Sequence, residues 1–223
     1  MHYAFDLWVK EWRQSEAGGE VYVVRYVDDF VLGFQYEGDA RRFLEALKER
    51  LSRFHLELHP DKTRLIEFGR FATENRRRRG EGKPESFDFL GFTHHCAKTR
   101  AGRFRVGRKT LKKKATAKLR GLKAQLRQRM HAPIPEVGAW LSRVLHGHYN
   151  YYGVPGNSAA MEFFRDRLSR LWYTVLRRRS HKARLPWERM NRLLSRWLPR
   201  PRITHPWPEQ RFDANTRGRS PVR

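Results

Sequence analysis

Residues 21–35, Val-Tyr-Val-Val-Arg-Tyr-Val-Asp-Asp-Phe-Val-Leu-Gly-Phe-Gln, constrain this chain more than any other stretch. Two runs rich in Val, Tyr and Phe flank Asp28-Asp29, the pattern of two strands joined by a tight turn with two acids at its tip. Both runs are almost continuously apolar, so both strands are expected to be largely buried. Adjacent carboxylates at the end of buried strands repel each other and lose hydration, and a divalent cation relieves both penalties. Asp is also a common turn residue. A simple hairpin turn favours Asp-Gly or Asn-Gly, however, and here the bulky Phe30 follows at once. Asp28 and Asp29 therefore read as metal ligands.

Charge divides the chain. The net charge of +25 over 223 residues points to a polyanionic partner. Residues 1–96 hold 16 Lys+Arg against 17 Asp+Glu, and residues 97–223 hold 32 against 6. The acids accompany the Asp pair, and the cations follow. That layout suits a metal-bearing catalytic segment succeeded by a nucleic-acid clamp, with RNA binding expected in residues 97–223. The lone Cys96 excludes an internal disulfide and a multi-cysteine zinc site. No run reaches the ~20 apolar residues of a membrane helix, so no membrane role is expected. The N-terminus lacks a signal-peptide plan, and a bacterial cytoplasmic location is expected.

Periodicity predicts the elements. Tyr3, Leu7, Trp8 and Trp12 share one face of a helix over residues 3–14, which Ala17-Gly18-Gly19 breaks. Asp39 is expected to N-cap a helix striped with Phe43, Leu44, Leu47, Leu51 and Phe54. His59-Pro60-Asp61 forms a turn, residues 63–68 alternate like a strand, and residues 74–85 read as an exposed, mobile loop. Residues 87–93 return to strand around Gly91, a residue that permits close approach of another backbone. His94, His95 and Cys96 lack a second ligand cluster and read as structural. From about residue 108 four basic amphipathic helices follow. The second opens at Pro135 and buries Val137, Trp140, Leu141, Val144 and Leu145. The third turns Met161, Phe164, Leu168, Leu171, Trp172 and Val175 inward, and the fourth spans residues 186–198. Arg165, Arg167, Arg170 and Arg177–Arg179 are expected to face outward. The apolar faces are aromatic-rich, so these helices are expected to pack on one another rather than lie on lipid. Tyr149, Tyr151 and Tyr152 fit either a core or a base-stacking role.

Tyr26-Val27-Asp28-Asp29 resembles the Tyr-x-Asp-Asp motif of reverse transcriptases, and Val24–Phe30 resembles its version in bacterial group II intron reverse transcriptase/maturases. The segment around Lys62-Thr63 is similar to the next palm motif, and Phe87–Thr93 to the primer-grip hairpin. Trp140–Asn157, Trp-Leu-Ser-Arg-Val-Leu-His-Gly-His-Tyr-Asn-Tyr-Tyr-Gly-Val-Pro-Gly-Asn, resembles the maturase or thumb signature. The likeness continues through Trp187-Glu188-Arg189 to Pro206-Trp207-Pro208. It implies an α+β chain. Residues 1–107 would form part of a polymerase palm, an antiparallel hairpin with packed helices and a primer-grip-like hairpin. Residues 108–200 would form an all-α basic thumb, and 201–223 a Pro/Arg-rich tail. It implies Asp28 and Asp29 as catalytic acids holding Mg²⁺, and Lys62 as a proton donor to the departing pyrophosphate. By its chemistry alone Lys62 is equally a solvated turn lysine. Tyr26 and Gly91 would lie along nucleic acid. Lys112, Lys113, Lys114, Arg165, Arg177 and Arg178 supply the cations of an RNA grip.

A two-metal polymerase site takes carboxylates from two strands, and in this family the other aspartate precedes the hairpin with the fingers. Asp6, on an amphipathic helix, does not match it. The chain is therefore expected to be the C-terminal part of such an enzyme and inactive alone. A complementing N-terminal half, structured group II intron RNA and a DNA target or primer would be its partners. Two other readings stay open: a non-catalytic, maturase-like RNA-binding module and a remnant of a degraded mobile element. The hairpin, apolar on both faces, is expected to promote self-association.

Overall fold

A computed structural model describes residues 1–179 and 185–207, which form two compact units, Met1–Glu85 and Ser86–Arg223. The chain is α+β, with seven α-helices and two small antiparallel sheets among the described residues.

In the first unit, a π-helical turn over His2–Asp6 runs into α1 (Leu7–Ser15). Strands β1 (Val21–Tyr26) and β2 (Asp29–Phe34) then pair in register from Val21 opposite Phe34 to Tyr26 opposite Asp29. Helix α2 (Glu37–Ser52) packs against the hairpin, and a short α3 (Ala72–Arg78) follows. Phe5, Val9, Trp12, Val21, Phe43, Leu47 and Leu51 form the core, with Val23, Phe30, Leu32 and Phe34 against it. Phe5 stacks on Phe30 at 4.6 Å and Trp12 meets Phe43 edge-on at 4.9 Å. Fully burying one such ring contributes about 1.5–3 kcal/mol.

Several expectations change here. The hairpin is buried on one face only, because successive side chains alternate across a strand. Tyr22, Val24 and Tyr26 point to the open face and are exposed. At the N-terminus the inward residues are Ala4, Phe5, Val9 and Trp12, while Tyr3 and Leu7 are exposed. The π-turn shifts the phase that a uniform helical period assumes. Asp39 does not N-cap α2, whose N-cap is Tyr36. It is buried in the first turn, where Oδ2 accepts the backbone N–H groups of Gly18 and Gly19 at 2.9 and 3.1 Å. Residues 63–68 form no strand, having no neighbour to ladder with among the described residues. Residues 74–85 are mostly exposed as expected, but residues 74–78 belong to α3 rather than to a loop. Ala72 is buried, and Arg79 bridges Glu67 and Glu81, Arg78 holds Glu74, and Arg64 reaches Glu85 at 2.7 Å. Arg79 holds both Glu67 and Glu81 below the usual carboxylate range.

In the second unit, β3 (Phe87–Phe89), β4 (Phe92–Lys98) and β5 (Phe104–Thr110) form an antiparallel sheet in that order. Four helices follow: α4 (Lys112–Gln128), α5 (Ile134–Tyr152), α6 (Ser158–Arg177) and α7 (Trp187–Trp197). Their core includes Leu126, Leu141, Leu145, Met161, Phe164, Leu168, Trp172 and Met190, all essentially inaccessible. Leu141 and Leu145 of α5 thus face the interior as the periodicity indicates, while Trp140 and Val144 are only half-buried. Asn157, buried before α6, ties sheet to bundle. Its Oδ1 accepts the Thr110 N–H at 2.9 Å, and its Nδ2 donates to Thr110 Oγ1 and the Tyr152 carbonyl. Helix begins at Lys112 rather than 108, because the alternation Phe104, Val106, Arg108 continues the sheet as β5. Residues 208–223 of the expected tail lie outside the described residues. Its first part turns back on α5, with the Thr204 N–H donating to the Gly153 carbonyl at 2.8 Å.

Candidate acidic hairpin and cationic helices

Asp28 and Asp29 sit at the hairpin tip as expected, yet both are exposed, so burial does not force a cation on them. Their pairing follows from the register. Tyr26 and Asp29 close the ladder, leaving Val27-Asp28 as a two-residue loop. Val27 adopts φ +57°, a left-handed conformation that a β-branched residue rarely takes. Arg25 spans this loop. Its Nη1 donates to the Val27 carbonyl at 2.6 Å, while Nε and Nη2 donate to Asp6 Oδ1 and Oδ2 at 2.7 and 2.6 Å. The guanidinium lowers the Asp6 pKa, and the carboxylate raises that of Arg25. Chemically, the tip offers two hard, hydrated oxygen donors of the kind that bind divalent cations. Among the described residues no group of three or more His, Cys, Asp or Glu could hold a metal.

Lys62 is exposed in the turn after α2, its backbone N–H bonded to the His59 carbonyl at 3.2 Å. No hydrogen bond or ion pair joins its side chain to either aspartate among the described residues. In the second unit, Leu90 and Gly91 make the β3–β4 turn with φ +47° and +78°. The Gly91 carbonyl accepts the Leu111 N–H at 2.9 Å, and the Leu90 carbonyl accepts the Tyr151 hydroxyl at 2.7 Å. A Cβ on Gly91 would meet the Tyr152 hydroxyl at 3.1 Å, so glycine answers both the dihedral and the space. Tyr149 is core, its hydroxyl donating to the Pro199 carbonyl. Tyr151 stays half-exposed, stacked on Phe92 at 5.8 Å. His94 stacks on Phe87 at 4.9 Å with the rings 7° apart, and burial lowers its pKa.

The cations fall into two kinds. Lys112, Lys113 and Lys114 are exposed on the first turn of α4, and Arg177 and Arg178 at the end of α6. Arg165, expected outward, instead turns in. Its Nε and Nη2 donate to the Leu198 carbonyl at 3.2 and 3.0 Å, and Nε also meets the Pro199 carbonyl, capping the end of α7. Arg179 likewise donates to the Ala132 carbonyl at 2.8 Å. A cleft of about 380 Å³ between α4 and α6 is floored by Leu119 and Leu171 and rimmed by Arg120, Lys123, Arg167 and Arg170. The helical period turned Arg167 and Arg170 outward without showing that two helices bring them, with Arg120 and Lys123, to one cleft.

His148 was missed. It is 1 % exposed and stacks on Phe164 at 3.9 Å, and neither ring nitrogen has a hydrogen-bond partner among the described residues. Burial pushes its pKa down to about 4, with the Lys118 charge adding to the shift. The helical step Leu141, Leu145, His148 was the available signal. No helix among the described residues is long and apolar enough to cross a membrane.

Residues 1–94 match the family described as Reverse transcriptase (RNA-dependent DNA polymerase). A comparison with curated proteins finds no match. Residues 1–94 are thus a reverse transcriptase-like polymerase segment, which includes Asp28, Asp29, Lys62 and Gly91 and implies nucleic-acid binding. Polymerases of that family generally use divalent metal ions.

Proposed function

We propose that this chain is part of a group II intron reverse transcriptase/maturase, an RNA-directed DNA polymerase acting with structured intron RNA and a DNA primer in the bacterial cytoplasm. The observation that carries this reading is the exposed Asp28-Asp29 pair on a hairpin tip, within a segment matching reverse transcriptases. Asp28 and Asp29 would hold Mg²⁺, whose charge would activate a primer hydroxyl and neutralise a triphosphate. Tyr26 lies beside that tip for nucleic acid, Lys62 would donate a proton to the leaving pyrophosphate, and the Gly91 turn would approach the primer. A third carboxylate and the fingers would come from a complementing N-terminal half.

The helices of the second unit supply the grip. Three exposed lysines crowd the N-terminal turn of α4, where the helix dipole already disfavours positive charge. Phosphates there would relieve the repulsion, and the α4–α6 cleft adds four more cations. Arg177 and Arg178 extend the surface, and Arg165 supports it through α7. A second reading, a non-catalytic maturase-like RNA-binding module, is favoured by the absence of any three-ligand acidic group among the described residues.

Filter binding of the whole chain to a folded group II intron RNA, against an unstructured RNA of equal length, tests the proposal. Tighter binding to the folded RNA is expected, with affinity falling by a log–log slope of roughly −0.7 to −0.9 per phosphate contact as salt rises. Salt-independent binding, or no preference for the folded RNA, would count against it.

A further inference from the structure

We propose that Arg25 and Asp6 are a positioning pair that sets the Asp28-Asp29 turn for a cation, an inference that rests on the cation reading above. The two-residue loop needs Val27 at φ +57°, which its branched side chain disfavours. The β1–β2 ladder ends at Tyr26 and Asp29, the residues that flank the loop, so Val27 and Asp28 make no ladder pair and the ladder alone does not hold them. Arg25 does, through Nη1 to the Val27 carbonyl at 2.6 Å. The opposite edge of the same guanidinium is fixed by both oxygens of Asp6. Such fork-to-fork geometry sets direction as well as strength. Arg25 lies opposite Phe30, and Phe30 stacks on Phe5, the neighbour of Asp6. Packing of the π-turn on the hairpin therefore delivers the carboxylate to the guanidinium.

The pair has a second effect. Arg25 lies close enough to Asp28 to feel its charge. A guanidinium released from Asp6 would be drawn to the two carboxylates at the tip and compete with a cation for them. Asp6 thus holds Arg25 on the Val27 carbonyl and off Asp28. His2 Nδ1 also approaches Asp6 Oδ2, at 3.3 Å, from the exposed side.

Charge and position make opposite forecasts, which makes the inference testable. By charge alone, Arg25→Ala removes a cation beside the acids and tightens metal binding, while Arg25→Lys changes nothing. Positioning forecasts that Arg25→Ala, Arg25→Lys and Asp6→Asn each weaken binding roughly tenfold, the cost typical of losing a partner that orients a ligand. Mn²⁺ titration of the 223-residue chain, followed by electron paramagnetic resonance, reads this out, with Asp28→Ala identifying the site and circular dichroism confirming the fold. Unchanged or tighter Mn²⁺ binding in folded Arg25→Ala overturns the inference. A wild-type chain without Asp28-dependent Mn²⁺ binding overturns the cation reading instead. Hydrogen–deuterium exchange then judges the pair by itself. Faster exchange in the peptide over residues 25–31 of Arg25→Lys, with α2 unchanged, supports the clamp, and unchanged exchange refutes it.

Discussion

The two units carry their charges differently. Met1–Glu85 holds 16 basic and 16 acidic residues, whereas Ser86–Arg223 holds 32 and 7. In the first unit arginines find glutamates: Glu67 and Glu74 each hold one, and Glu81 and Glu85 each hold two. In the second, the Arg170–Asp166 pair at 3.1 Å stands amid a large cationic excess. A run such as Arg76–Arg79 and a cleft rim such as Arg120, Lys123, Arg167 and Arg170 look alike in composition. They differ in how far nearby acids have satisfied them. Arg76, Arg78 and Arg79 hold glutamates, whereas among the described residues of the rim Arg170 alone holds an acid, Asp166, and the less satisfied set draws more strongly on phosphate.

Core truncation separates the units most sharply. Leu47 and Leu141 are both buried, at 1 % and 0 % exposure. Each change to Ala should lower stability by about 2–5 kcal/mol in urea unfolding. Only Leu141→Ala should also depress RNA affinity near its unfolding midpoint. Equal losses of RNA binding from both variants would break the division.

Next in size is the charge comparison itself. Replacing Arg120, Lys123, Arg167 and Arg170 together by Ala should weaken RNA binding by roughly 100-fold at moderate salt and flatten the salt slope. The matched change at Arg76–Arg79 should weaken it by less than about threefold, because Arg76, Arg78 and Arg79 are already paired with glutamates. Filter binding of both quadruple variants decides it, and comparable losses would show that internal pairing does not silence a basic run.

Acid should act on the second unit through His148. Its folded pKa, about 4, lies below the ordinary value of 6.5, so the unfolded chain takes up the proton first. Stability is therefore full above about 6.5 and declines as pH falls toward 4, by about 2 kcal/mol between pH 7 and 5. His148→Phe should flatten that decline in urea titrations at the two pH values. The smallest effect expected is at the turn. Val27→Gly relieves a disfavoured φ and should leave the first unit unchanged or up to about 1 kcal/mol more stable by thermal unfolding.

Much of this was legible in the sequence, for reasons that also explain what was not. Alternating and helical periods locate β1, β2 and the four basic helices because each element must bury one face. They do not say how many layers cover a strand, so the open face of Tyr22, Val24 and Tyr26 was hidden. Local propensity also misplaces residues whose partners are distant in sequence. Asp39 serves amides 20 and 21 residues away, and Arg165 serves carbonyls 33 and 34 residues away. Strand β5 was missed because three of its seven residues are Arg or Lys, which masks the alternation. Of the candidate site, the acidic tip was legible, while the Asp6–Arg25 clamp beneath it depends on a contact across 19 residues.

Primer extension tests most directly the central claim that chemistry belongs to the Asp28-Asp29 tip. Residues 1–223, given Mg²⁺, a primed RNA template and four deoxynucleotides, should extend nothing, since two adjacent carboxylates leave a two-metal site short of a ligand. Supplying an N-terminal segment of a related enzyme, with its fingers and further aspartate, should restore synthesis. In that mixture Asp28→Ala should abolish extension while leaving RNA affinity within about twofold, since the tip lies outside the cationic unit. Asp29→Ala should reduce it less completely. Extension by the unsupplemented chain, or restored synthesis indifferent to Asp28→Ala, would contradict the account.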